Sequence, residues 1–361
     1  MLKFLSFTTV ALHMLFFASQ GNATIKYQIA EISSAIPKVH DIQPIAINDS
    51  GIVTGNFLKK NSDSCWGFIW DVKQGMSQLT SFGDVQVNGL NNLNQVIGSA
   101  GSLAYLWDPD HKIQYLNMNV AQALNNHGQI VGLCEEDEFI KEIKDEDGLS
   151  ITISLGGNVI LWDKASGIKQ IDLSDILVDG LLAWPLDIND NGQILILAWF
   201  FDEKKMEMAF KTSYLWQNGQ ITRQFTPPSY VNKDDYTTIA FALNHAGDAT
   251  GVLFGRDQEI RSRGVLWTND GDVIEIGNEA CPFLPVGIND ERTVIGVAAG
   301  AGQESAYIWD DQNGLQNLNN LIDAGQHWHL ATPIDINNLG QIVGLGLKDG
   351  KPAAFLLTPI E

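Results

Sequence analysis

Cysteine is scarce in this 361-residue chain, and basic residues are far outnumbered by acidic ones. The three cysteines, Cys65, Cys134 and Cys281, allow at most one disulfide, which excludes a disulfide-stapled scaffold; we expect buried free thiols. Lys and Arg number 22 against 43 Asp and Glu, giving a net charge of −21. An acidic balance of this size excludes nucleic-acid backbones and anionic lipid surfaces as partners.

Catalytic motifs are also missing. The sequence contains no Gly-x-Ser-x-Gly elbow, no zinc-protease helix motif and no phosphate-binding loop. Beyond the amino terminus, no apolar run is long enough to cross a bilayer. The charged fraction of 18% is low for a helical protein and ordinary for a β-rich one.

Residues 1–23 have the form of a secretory signal peptide. Lys3 precedes an uncharged, mostly apolar stretch, and Gly21 and Ala23 are small residues at the −3 and −1 positions of a cleavage site. An uncleaved anchor helix is the alternative, but His13 and several Ser and Thr residues within the stretch favour cleavage. The sequence predicts a soluble protein, exported to the periplasm or the extracellular space, whose mature chain begins at Thr24.

One short motif recurs seven times through the rest of the chain. Ile or Leu is followed by Asn, a short turn and usually Gly; the asparagines are Asn48, Asn91, Asn125, Asn189, Asn244, Asn289 and Asn337. After six of them an apolar segment ends in Trp, at Trp70, Trp107, Trp162, Trp216, Trp267 and Trp309. We interpret these tryptophans as core packing. The Gly three residues after five of the asparagines is interpreted as a turn residue with positive φ; Asn94 takes its place in the second repeat and Arg292 breaks the rule in the sixth. A second Gly, seven residues after most of the asparagines, is predicted to leave room for a neighbouring aromatic ring.

Within one repeat the pattern resolves into four short strands. Residues 286–288, 294–297, 306–309 and 315–318 are apolar or alternating and are separated by turns, with no helical period. The seventh repeat ends after its third strand, and residues 24–32 have the form of the missing fourth strand. We therefore predict an all-β, seven-bladed β-propeller of four-stranded antiparallel blades, closed by that amino-terminal strand. It is a single domain over residues 24–361, with repeats starting near residues 44, 87, 121, 185, 240, 285 and 333.

Two stretches carry a family resemblance. Residues 123–132 (Ala-Leu-Asn-Asn-His-Gly-Gln-Ile-Val-Gly) and 306–314, which begin Ala-Tyr-Ile-Trp-Asp and end in Gly, resemble the HAF repeat of bacterial extracellular proteins. The His of the eponymous His-Ala-Phe is absent here, as at Trp66-Gly67-Phe68 and Ala353-Ala354-Phe355. The resemblance implies export, a propeller-like fold and a bacterial origin, and it brings no established activity.

Function is expected where the repeats differ, on the propeller face opposite the Asn turns. The candidates for ligand contact there are Trp184, Tyr230, Tyr236, Arg256, Arg261, Arg263, His327, Trp328 and His329. Trp184 and Trp328 are equally compatible with capping the core, and the three arginines with holding an anion or with pairing to the acidic insertion over residues 135–147. That insertion is interpreted as a solvated loop, with Ca²⁺ binding as the alternative.

The favoured function is a binding or interaction module for an unidentified protein or glycan, without catalysis, metal or cofactor, and monomeric. The alternative is a carbohydrate-active propeller, a glycoside hydrolase or lyase, that assembles its site from several blades. In that case the acid and base candidates are His40, Asp234, Asp235, His327 and His329. His327 and His329 point to opposite sides of an extended segment, so a shared zinc ion is not expected.

Overall fold

The structure is a computed structural model. It describes residues 26–62, 64–81, 83–110, 112–134, 140–144, 150–154, 157–177, 181–202, 207–256, 261–278, 281–300 and 303–360. The predicted signal peptide lies outside these ranges. Within them, none of the helices has the length and apolar character required to span a bilayer.

The described chain is built from strands joined by short turns. In chain order the strands are β1 (Lys26–Ile32), β2 (Val39–Ile47), β3 (Val53–Lys59), β4 (Cys65–Asp71), β5 (Gly75–Gln78), β6 (Val85–Leu90), β7 (Val96–Ala100), β8 (Leu103–Asp108), β9 (Lys112–Tyr115), β10 (Val120–Leu124), β11 (Ile130–Cys134), β12 (Ile140–Lys144), β13 (Ser150–Ser154), β14 (Asn158–Asp163), β15 (Gly167–Gln170), β16 (Leu182–Ile188), β17 (Ile194–Asp202), β18 (Glu207–Gln217), β19 (Gln220–Gln224), β20 (Tyr236–Leu243), β21 (Ala249–Gly255), β22 (Arg263–Trp267), β23 (Val273–Asn278), β24 (Cys281–Ile288), β25 (Val294–Gly300), β26 (Gln303–Asp310), β27 (Gly314–Asn317), β28 (Trp328–Ile336), β29 (Ile342–Lys348) and β30 (Lys351–Ile360). Single 3₁₀ turns occur at Lys233–Asp235, Leu318–Asn320 and Ala324–Gln326.

These strands form antiparallel sheets in the order predicted from the repeats. The described residues contain five four-stranded sheets, β2-β3-β4-β5, β6-β7-β8-β9, β10-β11-β14-β15, β16-β17-β18-β19 and β1-β30-β29-β28. An eight-stranded sheet runs from β20 to β27, but only Gly277 and Asn278 of β23 pair with β24, so it consists of two four-stranded meanders joined at one corner. The four strands expected over residues 286–318 are all present as β24–β27, except that Leu318 already belongs to a 3₁₀ turn.

The amino-terminal strand pairs with the carboxyl-terminal one. β1 runs antiparallel to β30 over seven residue pairs, from Lys26↔Ile360 to Ile32↔Ala354. Tyr27 and Ile32 are buried, and Ile32 packs with Phe57, Phe68 and other side chains of β3 and β4. The pairing leaves the hydrogen-bonding edge of β30 covered, which removes a site for edge-to-edge association.

The first strand of each unit is the one that precedes a repeated Asn. These first strands are β2, β6, β10, β16, β20, β24 and β28, and each contacts the next, with β28 contacting β2. Every first strand also carries a β-bulge, for example between Pro44 and Ala46, opposite the residue seven positions after the Asn. At Gly98 a Cβ atom would overlap the backbone oxygen of Gln86, so the Gly there admits the bulged strand, although in the fourth unit Ile196 lies opposite the same kind of bulge. The predicted aromatic contact is present at four of these glycines, Gly55, Gly98, Gly296 and Gly344.

The repeated tryptophans are buried, as predicted. Their exposed fractions range from 0% at Trp267 to 8% at Trp107, Trp162 and Trp309, and each lies in a different hydrophobic cluster. The clusters join side chains of successive units: Ile97 and Leu106 of one unit pack with Ile130 and Trp162 of the next. The prediction of buried thiols was wrong in degree, because all three cysteines are free but half-buried.

The position three residues after each Asn has a left-handed backbone in all seven turns. Glycine occupies five of them, Asn94 has φ 60° and Arg292 has φ 58°. Arg292 tolerates this conformation because Nε and Nη2 bind the two carboxylate oxygens of Asp248 at 2.9 and 3.1 Å. The side chain of Asp248 is only 1% exposed, so this ion pair neutralises a buried charge.

We expect Arg292→Gly to lower the free energy of unfolding by roughly 2 kcal/mol, although glycine is the residue that the turn otherwise selects. The relief of backbone strain is smaller than the loss caused by leaving Asp248 without its cation. Chemical denaturation of the variant and of Arg292→Gly/Asp248→Asn checks this. The second change should recover much of the loss, and a stabilised single variant would contradict the assignment.

Candidate functional site

The seven repeated asparagines lie together and bind one another in a cycle. Each side-chain amide donates a hydrogen bond from Nδ2 to the backbone oxygen of the next Asn, and Asn337 donates to Asn48. The donor–acceptor distances lie between 2.8 Å, for Asn337, and 3.3 Å, for Asn244. We call these seven residues the Asn ring. All seven are buried.

Each Asn of the ring also organises its own turn. In Asn48, Oδ1 accepts the backbone N–H groups of Ser50 and Ile52, both at 3.1 Å. The sequence motif therefore performs two tasks with one side chain: the oxygen closes a local turn, as predicted, and the amide group links two units. The second task could not be inferred from the repeat, because its partners are 34 to 64 residues apart along the chain, or 289 for Asn337.

A cavity of about 220 Å³ opens beside the Asn ring. It is lined by the ring, by the apolar residue before each Asn and by the polar residue after it; the latter are Asp49, Asn92, Asn126, Asp190, His245, Asp290 and Asn338. These outer polar groups also bind each other, as when Asn92 donates from Nδ2 to Asp49 and Asn126 donates to Asp190. Because the described polar groups already satisfy one another, the cavity is best explained as part of the scaffold.

Two carboxyl groups stand where the other repeats have Gly or Ala. Asp187 and Asp335 lie two residues before the ring asparagines of their units, and the equivalent residues are Ala46, Gly89, Ala123, Ala242 and Gly287. Asp335 Oδ2 accepts the backbone N–H of Ile47 at 2.8 Å, and Asp187 Oδ2 accepts that of Leu243 at 2.9 Å. Each carboxyl group thus joins the first strands of consecutive units.

The same two carboxyl groups are poor acids. Burial raises the pKa of Asp187 to about 6 and that of Asp335 to about 7, against the opposing effect of the backbone hydrogen bonds that they accept. The negative charges of Asp187 and Asp49 add to the rise at Asp335. Both groups therefore titrate near neutral pH.

A larger cavity lies at the opposite end of the strands from the Asn ring. Consecutive strands of a unit are antiparallel, so the loop after the second strand and the connection to the next unit share that end. The cavity measures about 590 Å³, and its lining includes Asp235, Tyr236, Arg261, Arg263, Glu275 and Phe283. We call it the arginine cavity. It spans the corner where β23 meets β24, and its volume is typical of ligand pockets.

An ion pair and two tyrosines organise the arginine cavity. Nη1 of Arg263 lies 2.8 and 3.1 Å from the two carboxylate oxygens of Glu275, and Tyr230 donates its hydroxyl to Oε1 at 2.9 Å. The Arg263 guanidinium carbon lies 5.6 Å from the ring centroid of Tyr236, which is 6% exposed. Burial lowers the pKa of Arg263, but the hydrogen bond and charge of Glu275 outweigh it and raise the pKa overall.

Several predicted ligand contacts therefore meet in one place. Tyr236, Arg261 and Arg263 line the cavity, and Tyr230, which is 70% exposed, is attached to it through Glu275. Arg256 lies outside the lining and binds Thr237 Oγ1 and the backbone oxygen of Asp234. Arg263 pairs with Glu275, and the alternative pairing of the arginines with the acidic insertion falls on residues that lie mostly outside the described ranges. The sequence analysis missed Glu275, since it sits in an ordinary alternating strand.

The other residues predicted to contact a ligand pack into the scaffold or lie away from the arginine cavity. Trp184 is half-buried, with Nε1 3.4 Å from Gln122 Oε1, and Trp328 packs edge-on against Phe355 at 6.2 Å. Both geometries agree with the capping alternative. His327 is exposed, and its Nδ1 atom lies 3.1 Å from Oδ1 of Asp349. His329 is half-buried on β28.

The acid and base candidates of the enzyme alternative are dispersed over three elements. His40 is on β2, and Asp234 and Asp235 are in the first 3₁₀ turn. His327 follows the third 3₁₀ turn, directly before β28, and His329 is on β28. Of the five, only Asp235 lines either cavity. Over the described ranges, no three His, Cys, Asp or Glu residues are grouped so as to hold a metal ion.

The acidic insertion contains a strand between its two acidic runs, and the interpretation of those runs as a solvated loop falls outside the described residues. β12 (Ile140–Lys144) pairs with β13 (Ser150–Ser154) in a hairpin of its own between β11 and β14. Residues 135–139 and 145–149, which include most of the acidic side chains considered for Ca²⁺, lie outside the described ranges.

Comparison with known proteins places the fold. No family model and no curated protein matches the chain. Among solved structures, it is similar to the β-propeller domain of the Trilobed protease from Pyrococcus furiosus, at TM-score 0.53 and 12% identity over 88% of this chain and 92% of that one. It is also similar to an acylaminoacyl peptidase from Pyrococcus horikoshii (TM-score 0.55, 13% identity, 90% of this chain, 52% of that one). A third similar structure is an oligogalacturonate lyase in complex with manganese (TM-score 0.54, 12% identity, 93% of this chain, 97% of that one). At these identities the likeness shows a propeller-like fold alone.

Proposed function

We propose that the chain is a closed seven-bladed β-propeller. The cyclic hydrogen bonds of the Asn ring, the contact of β28 with β2 and the pairing of β1 with β30 support closure. Seven blades follow if β20–β23 and β24–β27 are separate blades, which the two residue pairs between β23 and β24 support. The proposed domain covers residues 24–361 after removal of a signal peptide, and we propose that it is monomeric. The HAF resemblance adds to the proposal of an exported bacterial protein.

On this scaffold we propose a binding module that takes its ligand in the arginine cavity. The observation that carries the proposal is that Arg261 and Arg263, at the entrance to β22, meet Tyr236 of β20 and Glu275 of β23 around one open space. Polar groups fixed by an ion pair beside a buried aromatic ring are typical of recognition sites. The Asn ring, by contrast, has its polar groups occupied by one another.

A cavity-filling substitution tests the binding function. Ser262 lines the cavity and is exposed, so Ser262→Trp should fill it with little effect on folding. Ser166→Trp, in an exposed turn at the other end of the strands, is the matched control. Parent and variants are screened by thermal shift and calorimetry against glycans, peptides and divalent cations including Ca²⁺.

We expect a glycan or peptide that binds the parent and Ser166→Trp and is lost in Ser262→Trp, with at least a tenfold loss of affinity. Ligands that bind all three proteins equally would place recognition elsewhere on the surface. If neither a glycan nor a peptide binds the parent, the proposal of a module that binds small ligands is wrong.

The carbohydrate-active alternative is kept because one structure of similar fold is an oligogalacturonate lyase. It predicts formation of new reducing ends or unsaturated sugars during incubation with a bound glycan. Binding without such products favours the module. Product formation that persists in a His327→Ala/His329→Ala variant would remove those histidines from the proposed acid and base groups.

A further inference from the structure

Arg263 is held in an orientation that exposes part of its guanidinium group to the cavity. Both contacts with Glu275 use Nη1, so the ion pair engages one nitrogen and not the two-nitrogen fork that arginine offers to a carboxylate. The cation–π contact with Tyr236, at 5.6 Å from the ring centroid, further restrains the group. Nε and Nη2 are not used by Glu275, and they form the edge that matches a second carboxylate.

Glu275 and Tyr230 hold the Arg263 side chain in that orientation. The hydroxyl of Tyr230 and Nη1 of Arg263 both bind Glu275, so this carboxylate is already occupied and neutralised. Arg263 is consequently pre-positioned before any ligand arrives, which lowers the conformational entropy lost on binding. Its side chain remains 40% exposed.

The charge of the cavity differs from that of the whole chain. The chain carries 43 acidic and 22 basic residues, a field that repels anions. Among the residues that the structure describes, the cavity lining contains two arginines, one Glu and one Asp, whose formal charges balance. Within this lining an anionic group meets the directed donors of arginine side chains.

We propose that the arginine cavity recognises a ligand through a carboxylate group, bound by the free edge of Arg263 beside Tyr236. This inference rests on the proposed binding function and specifies the chemistry of its ligand. A uronic acid and a peptide carboxyl terminus supply the same group, and the experiment separates these two sources.

The test compares each acid with its amide, which has a similar shape but no charge. D-Glucuronic acid is paired with D-glucuronamide, and N-acetyl-alanyl-tyrosine with its carboxyl-terminal amide. Binding at millimolar concentration is followed by calorimetry and ligand-detected NMR for the parent, Arg263→Lys and Arg256→Lys. The lysine at position 263 keeps the positive charge near Glu275 but loses the planar fork.

We expect one acid to bind at least tenfold more tightly than its amide, and Arg263→Lys to lower its affinity about tenfold at an unchanged unfolding temperature. Arg256→Lys, outside the lining, should bind as the parent does. Equal binding of acid and amide, an unaffected Arg263→Lys, or no binding of either acid would overturn the inference. A neutral ligand that Ser262→Trp abolishes would overturn it while leaving the binding function intact.

Discussion

Replacing Asn337 by alanine should lower the free energy of unfolding by roughly 4 kcal/mol, a large loss for one polar side chain. Nδ2 donates to Asn48 and to Gln341 at 2.8 Å each, and Oδ1 accepts the N–H groups of Leu339 and Gln341 at 3.1 and 2.8 Å. Alanine leaves those buried partners without hydrogen bonds, and each unpaired group costs about 1–3 kcal/mol. Urea denaturation followed by tryptophan fluorescence measures the change.

Two further variants make the Asn337 result specific. Asn313→Ala removes a half-buried asparagine whose amide group binds only the nearby Asp310 among the described residues, and it should cost less than about 1 kcal/mol. Asn337→Asp keeps the oxygen that closes the turn, but it buries a charge and turns an acceptor oxygen toward Asn48 O and Gln341 Oε1, so near neutral pH it should cost at least as much as Asn337→Ala. Equal stability of Asn337→Ala and Asn313→Ala would show that the Asn ring is not a main source of stability.

Stability should fall as the pH rises through neutrality, and Asp335→Asn should remove most of that fall. The pKa of Asp335 is raised to about 7 by burial, from 3.8 for a free side chain. A carboxyl group with a raised pKa in the folded state stabilises the fold fully below its unfolded pKa, and the contribution is lost as pH rises through the folded value. Between pH 5 and 8 the loss is roughly 3 kcal/mol for Asp335, at about 1.4 kcal/mol per pH unit.

Ionisation of Asp187 should cause a smaller loss of stability at lower pH than that of Asp335, because its pKa is raised only to about 6. The double variant Asp187→Asn/Asp335→Asn should therefore have a nearly flat pH profile over this range. Asp110→Asn, an exposed site outside the Asn ring, is the control for the general effect of removing one negative charge. A parent whose stability rises from pH 5 to pH 8 would contradict the protonation scheme.

Much of the fold could be predicted from the repeat, because the repeated residues make the same local contacts in each unit. The four strands, the left-handed turn position and the burial of Trp70 and Trp267 are all set by neighbours within one unit or the next, so periodicity sufficed to predict them. The β-bulge was not predicted, because the first strands were assumed to alternate regularly, whereas the extra residue shifts the alternation: on β2 the buried Pro44 and Ile47 are three residues apart. The role of the Gly found seven residues after six of the asparagines was therefore only partly recognised.

The residues of the candidate site were harder to predict from the sequence than the fold. Tyr230 and Glu275 are 45 residues apart along the chain and meet only in the folded protein. Trp184 and Trp328 were conspicuous in the sequence, yet their rings pack into the scaffold. Asp187 and Asp335 could have been found by aligning the repeats on Asn, because carboxylates there replace Gly or Ala.

The Asn ring has a consequence for how such a protein can change over evolutionary time. Every acceptor that links one ring Asn to the next is a backbone oxygen, so the link between units requires only an asparagine and its turn from each unit. Successive ring residues are separated by as few as 34 and as many as 64 positions, and the hydrogen bond between them is 3.1 Å long in both cases. Duplication of units, and substitutions or insertions within them, are thus compatible with an unaltered Asn ring. The ends of the strands opposite the Asn ring can then acquire new loops and new binding specificity.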